Sequence, residues 1–186
     1  MAHWTECHVD ALELQQDLHD MASSLTDRCD MDEKVTHICG DILSYPLRDA
    51  SYNVLVSWLV FLHIPDKLQL FTACYKALKP GGKMYVEDYY QKETFTKEEQ
   101  ESLANDVFVN TLCTWNELTN TLNESGFTIV EIKDTTEVWR TYVNDRYLTY
   151  VKDMERHVRV HGTSAADSLH HFYRAVHTYV TSFFVD

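Results

Sequence analysis

The stretch CHVDALELQQDL, residues 7–18, decides the fold, because a short apolar run ends there on an acidic residue and a helical pattern begins directly after it. The run predicts a strand over 8–13, ending on Glu13, and the following periodicity predicts a helix over 15–29. The same alternation of short β-branched runs and longer helical segments continues along the chain. It is typical of a mostly parallel sheet with helices on both faces, so the predicted fold class is α/β.

The predicted elements follow this alternation along the whole chain. We predict strands at 8–13, 35–39, 52–57, 83–88 and 127–134. We predict helices at 15–29, 67–78, 97–105, 114–125, 145–161 and 165–184. No repeat and no linker rich in Pro, Gly or Ser interrupts them, so we expect a single domain over 1–186.

Two glycine-containing turns mark where helices end. In LKPGGKMYVED, residues 78–88, a helix is predicted to end at Lys79, because the proline that follows cannot continue it. Gly81 and Gly82 allow the positive φ that a tight turn into the next strand requires. In the later NESGF segment, Gly126 is predicted to cap a helix before the last strand.

The charge and the cysteine content argue against several classes of protein. The chain has 186 residues, of which 45% are hydrophobic, and a formal net charge of −13. Nucleic acid and anionic membrane surfaces attract basic patches, so this acidic balance disfavours both as partners. The five cysteines are widely spaced without a CxxC pair, which favours a reducing compartment over a disulfide framework. Because no signal-peptide pattern or apolar run of about 18 residues is present, the sequence predicts a cytoplasmic protein.

Four segments, ALEL, THICGDIL, SYNVLVS and the pair LKPGG and MYVED, resemble in this order the successive motifs of a class I S-adenosylmethionine-dependent methyltransferase. The resemblance implies an enzyme with S-adenosylmethionine as cofactor. Glu13 would accept hydrogen bonds from both ribose hydroxyls, Asp41 would accept one from the adenine amine, and Ile42 would cover the ring. The same resemblance adds three further cofactor-binding residues, which are Leu14, Ser57 and Trp58.

The segment SWLVFLHIPDK narrows the resemblance to the phosphoethanolamine N-methyltransferases. In that family a histidine close after the fourth strand is catalytic, and His63 falls on its position. Methylation of an amine requires a free lone pair on nitrogen, so a side chain that accepts or holds a proton beside it is useful. One departure is Leu59, which stands where the family has an acid that contacts the substrate ammonium. The implied function is N-methylation of a small amine, with phosphoethanolamine favoured narrowly over glycine and sarcosine.

Two segments near the C-terminus, RYLTYVKDMERHVRVHG and LHHFYRAV, resemble the part of phosphoethanolamine and sarcosine/dimethylglycine methyltransferases that walls the acceptor pocket. Aromatic side chains could bind a methylated ammonium there by cation–π contacts, and arginines could bind the anionic end of the acceptor. The candidate substrate-binding residues are Tyr89, Arg140, Tyr142 and Arg159. Further basic candidates are Arg146, Lys152 and Arg156.

The ten histidines raise the question of a metal site. His157 and His161 lie four residues apart, so both could face one side of a helix as a pair of ligands. No HExxH pattern accompanies them, and the sequence predicts no metal.

Both ends of the chain look incomplete relative to the resembling family. The glycine-rich loop of such folds lies upstream of the strand that ends on Glu13, and none of the five glycines forms a GxG pattern there. We therefore expect a fragment that lacks the first strand, this loop and also the last strand. Two alternatives remain: a non-catalytic, truncated methyltransferase-like interaction protein, and a dinucleotide oxidoreductase that shares the acid at the strand end. The oligomeric state stays open.

Overall fold

Strands and helices alternate along the computed structural model, which describes residues 2–109 and 111–182. The strands of this part are β1 (Val9–Glu13), β2 (Val35–Cys39), β3 (Tyr52–Trp58) and β4 (Leu78–Glu87). The helices are α1 (Ala2–Thr5), α2 (Gln16–Arg28), α3 (Lys67–Ala77), α4 (Lys97–Val107), α5 (Trp115–Glu124), α6 (Thr136–Lys152), α7 (Met154–His161) and α8 (Thr163–Ser182). A short 3-10 turn, Phe61–His63, follows β3.

β1 and β2 form a parallel pair. Val9 lies opposite Val35, and Glu13 lies opposite Cys39. Parallel neighbours need a crossover connection, which α2 supplies. Both strands therefore end at the same edge, which is the edge where open α/β sheets bind their ligands.

The chain divides into two compact units. The first contains the residues up to Val56 together with Leu68–Tyr85. Its most deeply buried side chains are Leu70, Phe71 and Cys74. Their spacing places them on one face of α3, so this helix supplies the centre of the first core.

The second unit contains Ser57–Lys67 and the chain from Val86 onward. Its helices α4 and α5 begin at capping boxes, in which Thr96 and Thr114 each exchange hydrogen bonds with a glutamate three residues later. Helices α6 and α7 both pack on α8, and α4 packs on α8 as well. The core of this unit is therefore built mainly between helices.

The LKPGG turn differs in detail from its prediction. α3 ends at Ala77 rather than at Lys79, and the strand begins one residue later. Gly81 has the predicted positive φ, at 78°, but Gly82 does not. Gly82 is needed for another reason, because a Cβ there would lie 2.9 Å from the carbonyl oxygen of Lys79 and 3.2 Å from that of Asn53.

Two predicted elements of the second unit are wrong. The segment 127–134, predicted as a strand, forms no ladder with any described residue, and Val130 is 90% exposed. A strand needs a hydrogen-bonded neighbour, so an apolar pattern alone does not form one. The helix predicted at 145–161 is two helices, α6 and α7, and α6 already begins at Thr136. Asp134 explains the earlier start, because its Oδ1 accepts a 2.9 Å hydrogen bond from the Thr136 N–H.

The remaining predicted elements are confirmed to within two residues at their ends, except that β4 begins at Leu78, five residues before the predicted start at 83, and so contains the LKPGG segment. Gly126 has a φ of 97° and follows α5 as predicted. The predicted end of the last helix, at 184, lies outside the described residues. The α/β class is confirmed, although the strands of the described part form two pairs, β1 with β2 and β3 with β4. The expectation of a single domain stays a prediction.

Candidate functional site

The edge formed by the ends of β1 and β2 brings the predicted cofactor acids together in the first unit. The N–H of Gly40 donates a 2.9 Å hydrogen bond to the carbonyl oxygen of Glu13. Glu13 Oε1 accepts a 2.9 Å hydrogen bond from Gln15 N, and Asp41 Oδ1 accepts one of 2.9 Å from Leu43 N. Each carboxylate is therefore oriented by its own backbone, and its second oxygen keeps acceptor capacity for a ligand.

These side chains fit the adenosine part of S-adenosylmethionine. Glu13 is half-buried and Asp41 is exposed at the strand ends. Ile42 is half-buried beside Asp41, and Leu14 is 66% exposed beside Glu13. Carboxylate oxygens accept hydrogen bonds from hydroxyls and amines, and apolar side chains cover a ring, so this set offers both kinds of contact. The individual roles stay predictions.

Ser57 and Trp58, at the end of β3, belong to the second unit. Ser57 is 5% exposed, and its Oγ has no hydrogen-bond partner among the described residues. A buried hydroxyl without a partner costs free energy, so this oxygen is suited to a hydrogen bond with a ligand. Trp58 is 52% exposed. Their predicted cofactor roles are not tested by this geometry.

His63 lies in the 3-10 turn after β3, and it is exposed. Its Nδ1 is 3.0 Å from the carbonyl oxygen of Phe108. Because a carbonyl oxygen only accepts, this contact selects the tautomer in which Nδ1 carries the hydrogen and donates it. Nε2 of the neutral ring then keeps its lone pair and can accept a proton from an amine.

Asp88, to which the sequence analysis gives no role, anchors the turn that carries His63. Asp88 Oδ2 accepts a 2.8 Å hydrogen bond from Leu62 N, and Oδ1 accepts a 2.9 Å hydrogen bond from Tyr89 N. Burial raises the pKa of the Asp88 carboxyl to about 6, although both backbone donors and the nearby Lys67 oppose this shift. One carboxyl group therefore joins the start of the turn to the end of β4.

Lys67 holds the other side of the same turn. Its Nζ donates hydrogen bonds to the carbonyl oxygen of Phe61, at 2.9 Å, and to that of Ile64. Burial lowers the pKa of the Lys67 ammonium. His63 is thus carried on backbone that two half-buried ionisable side chains, Asp88 and Lys67, hold by hydrogen bonds.

A cavity of about 370 Å³ opens beside His63 within the second unit. The buried lining residues, called the interior below, are apolar except for one tyrosine hydroxyl. They are Leu62, Leu103, Val109, Val143, Tyr179 and Val180. The exposed lining residues, called the rim below, are polar or aromatic. They are His63, Tyr142, Arg146 and Phe172.

Three aromatic rings form one wall of this cavity. The rings of Tyr89 and Trp139 meet edge to face at 6.0 Å, and those of Trp139 and Tyr142 meet at 5.5 Å. Trp139 Nε1 donates a 2.8 Å hydrogen bond to Glu87 Oε1, which holds the indole in place. Burial and the neighbouring Asp88 raise the pKa of Tyr89 to about 12, so its hydroxyl stays neutral. Neutral aromatic faces of this kind attract an ammonium group.

The predicted arginines lie in different surroundings. Arg140 Nη1 is 2.5 Å from Glu137 Oε1, and Arg159 is exposed on α7; neither belongs to the lining of the cavity. Arg146 does belong to it. The Arg146 guanidinium lies 5.6 Å from the centre of the Tyr173 ring, and its Nη2 is 3.2 Å from Tyr173 Oη. Arg146 is therefore the basic candidate that the cavity offers to an anionic group.

The two histidines considered as metal ligands stack on each other instead. The rings of His157 and His161 are 6.0 Å apart. Among residues 2–109 and 111–182, no group of three or more His, Cys, Asp or Glu side chains could hold a metal ion. No helix in the same part of the chain is long and apolar enough to cross a membrane.

Comparison with known proteins shows that this chain is similar to methyltransferases. Residues 1–86 match the family described as a methyltransferase domain. The arsenite methyltransferase of Halobacterium salinarum is 34% identical over 103 residues, which are 54% of this chain and 26% of that protein. The phosphoethanolamine N-methyltransferase of Plasmodium falciparum is 27% identical over 147 residues, which are 76% of this chain and 53% of that protein.

A solved structure extends the likeness to almost the whole chain. It is phosphoethanolamine N-methyltransferase 2 of Haemonchus contortus in complex with phosphomonomethylethanolamine and S-adenosylhomocysteine. The TM-score is 0.85 at 21% identity, with 95% of this chain and 41% of that chain covered. The chain thus spans about a quarter to a half of the length of these relatives. The fold is that of the class I methyltransferases, as predicted from the sequence, and the family match supports S-adenosylmethionine as the cofactor.

Replacing Glu13 by alanine is expected to weaken binding of S-adenosylhomocysteine by about 1.5–3 kcal/mol, or roughly 10- to 150-fold in Kd. The reason is that alanine removes the carboxylate that is predicted to accept hydrogen bonds from the two ribose hydroxyls. Isothermal titration calorimetry measures the change, with Glu33→Ala as the matched control, because Glu33 is an exposed acid away from the strand ends. An unchanged Kd in the Glu13→Ala protein would remove Glu13 from the cofactor site.

Proposed function

We propose that this chain belongs to an S-adenosylmethionine-dependent N-methyltransferase that acts on a small amine, with a phosphoethanolamine-type acceptor favoured. The observation that carries the proposal is the cavity of the second unit, whose lining includes His63, the aromatic wall and Arg146. These groups match the three needs of such an acceptor: a proton acceptor for the amine, aromatic faces for the ammonium, and a guanidinium for the anionic end.

The chemistry follows from the protonation state of the amine. A small amine arrives as an ammonium and has to lose a proton before its nitrogen can attack. His63 Nε2 accepts that proton and later passes it to solvent, while Nδ1 stays bonded to the carbonyl oxygen of Phe108. When bound, S-adenosylmethionine would supply an electrophilic methyl group, and the freed lone pair of the amine would form the new N–C bond in line as the S–C bond breaks.

The substitution at Leu59 changes how the ammonium is held. Leu59 is half-buried and lines the cavity, so this position supplies no carboxylate. The wall of Tyr89, Trp139 and Tyr142 offers cation–π attraction in its place. This attraction grows with each methyl group added, because a methylated ammonium loses hydration more easily.

The choice of phosphoethanolamine over other acceptors is supported by the relatives. The longer of the two reported alignments is with a phosphoethanolamine N-methyltransferase, whereas the shorter is with an arsenite methyltransferase. Glycine and sarcosine also carry an anionic end and could use the same guanidinium. Arg146 alone therefore does not separate phosphate from carboxylate.

Acceptor competition tests the proposal. Phosphoethanolamine, its monomethyl form, glycine, sarcosine and arsenite are offered at equal concentration with S-adenosylmethionine, and the methylated products are quantified by mass spectrometry. We expect the phosphobases to be methylated preferentially. A preference of tenfold or more, about 1.4 kcal/mol, for glycine or sarcosine would overturn the ordering of acceptors. Methylation of arsenite without any amine product would overturn N-methylation itself.

The competing hypothesis is a non-catalytic, methyltransferase-like interaction protein. Calorimetry of the 186-residue chain with S-adenosylmethionine separates the two, and saturable binding would contradict the non-catalytic hypothesis. The net charge of −13 and the five widely spaced cysteines without a CxxC pair support a cytoplasmic location without nucleic-acid or membrane partners. Cell fractionation would test that location.

A further inference from the structure

We infer that the acceptor carries an apolar substituent beside its amine and its anionic group, and that the interior of the cavity binds this substituent. The chemical class that fits is an alkyl ester of phosphoethanolamine. It is a phosphodiester, in which the phosphate joins the amine-bearing carbons to an alkyl chain. The inference rests on the proposed function, because it specifies the acceptor class of the same site.

The size of the cavity is the first argument. Its volume of about 370 Å³ lies in the range of roughly 300–1,000 Å³ found for sites of drug-sized ligands. Since one water occupies about 30 Å³ of liquid, this is space for about a dozen waters. A compact zwitterion such as phosphoethanolamine leaves most of that space unfilled, and an apolar cavity is a poor site for the remaining water.

The chemistry of the lining is the second argument. Leu103 and Val107 of α4 face the cavity together with Val176 and Val180 of α8. The polar atom of the interior is already paired, because Tyr179 Oη donates a 2.6 Å hydrogen bond to Asp106 Oδ2. A phosphate or an ammonium placed there would lose its hydration without compensation. An alkyl group would gain free energy by leaving water.

The arrangement of the cavity-lining side chains along α6 is the third argument. Trp139, Tyr142, Val143 and Arg146 follow the spacing i, i+3, i+4, i+7, so α6 presents them as one stripe along the cavity. Tyr142 and Arg146 are four residues apart on α6, about 6 Å along the helix axis. That separation suits an amine and a phosphate joined by two carbons. The charged part of the acceptor is thus held at the rim, and an ester chain on the phosphate can enter the interior.

Binding of a homologous ester series tests the inference without requiring turnover. Phosphoethanolamine and its ethyl, butyl and hexyl esters are titrated into the 186-residue chain by calorimetry, at concentrations below micelle formation. We expect Kd to fall about fourfold for each added methylene, about 0.8 kcal/mol, until the interior is filled. Esters that bind no more tightly than phosphoethanolamine would overturn the inference. Tight ester binding without methyl transfer would count against the proposed function instead.

A variant in which a larger side chain fills the cavity provides a second test, together with a matched control variant. Val176→Phe adds a ring to the cavity lining on α8, whereas Val138→Phe makes the same change on α6 at a position that is 69% exposed and outside the lining. We expect the ratio of Kd for phosphoethanolamine to Kd for the hexyl ester to fall at least tenfold in Val176→Phe and to stay constant in Val138→Phe. An equal effect in both proteins would overturn the inference. If Val176→Phe does not fold, Val107→Phe on α4 tests the same interior.

Discussion

Replacing His63 by alanine is expected to lower kcat for amine methylation on the order of 100-fold or more, because it removes the group proposed to accept the amine proton. The Phe108 carbonyl oxygen holds Nδ1 at 3.0 Å, so Nε2 is the nitrogen available to the acceptor. KM for the acceptor should change less than kcat, since the aromatic wall and Arg146 remain. Steady-state kinetics at saturating S-adenosylmethionine measure both constants.

Two variants show whether a loss of activity is due to proton transfer. His63→Asn can still donate from its amide to the Phe108 carbonyl oxygen but cannot accept a proton, so it should be as impaired as His63→Ala. His161→Ala removes an exposed histidine of α7 that lies outside the cavity lining, and its kcat should stay within about twofold of wild type. Substantial activity in His63→Asn would show that His63 does not accept the amine proton and has only a structural role in its turn.

The cofactor edge could be predicted from the sequence because its signals are local. Glu13 and Asp41 each follow a short β-branched run, and parallel strands end at one edge of their sheet. The LKPGG turn is similarly local, since proline and glycine restrict or extend φ by their own covalent structure. Even there, part of the need for Gly82 arises from the carbonyl oxygen of Asn53, a residue far away in the chain. Such a close approach has no signature in the neighbouring sequence.

The acceptor cavity could be predicted only in part, because the face that a helix presents depends on its packing. Tyr89 and Tyr142, both predicted to bind the acceptor, line one cavity, but the helix predicted at 145–161 starts nine residues too late. The stripe from Trp139 to Arg146 was therefore not recognisable as one helical face. The signal that would have found it is Asp134, an acid two residues before the observed first helical residue.

Asp88 stands out in the sequence as an acid at the end of a predicted strand, but the sequence does not reveal the environment of its carboxyl group. It ends the MYVED motif directly after β4, much as Glu13 ends β1, yet its environment is different. Glu13 lies at the end of a strand, and one of its carboxylate oxygens can still accept a hydrogen bond from a ligand. Both carboxyl oxygens of Asp88, in contrast, accept hydrogen bonds from backbone N–H groups. Burial of this kind arises only when distant segments pack together, and it leads to a prediction about stability.

Because of Asp88, the free energy of unfolding is expected to decrease as the pH rises. Burial raises its pKa from 3.8 to about 6, so the folded protein holds the proton more tightly than the unfolded chain. The corresponding stabilisation is fully present below the unfolded value of 3.8 and is lost as the pH rises through 6. A difference of about two pH units between the two states corresponds to about 3 kcal/mol in the free energy of unfolding.

The comparison of wild type with Asp88→Asn isolates this effect from all other titrating groups. Asparagine is neutral at every pH and close in shape to the protonated acid. The free energy of unfolding of wild type minus that of Asp88→Asn should therefore fall by about 2–3 kcal/mol between about pH 3.5 and pH 8. Urea unfolding at a series of pH values measures it, and Asp32→Asn, at an exposed turn, should give a flat difference. A flat difference for Asp88→Asn would mean that burial does not raise the pKa of this carboxyl in the folded protein.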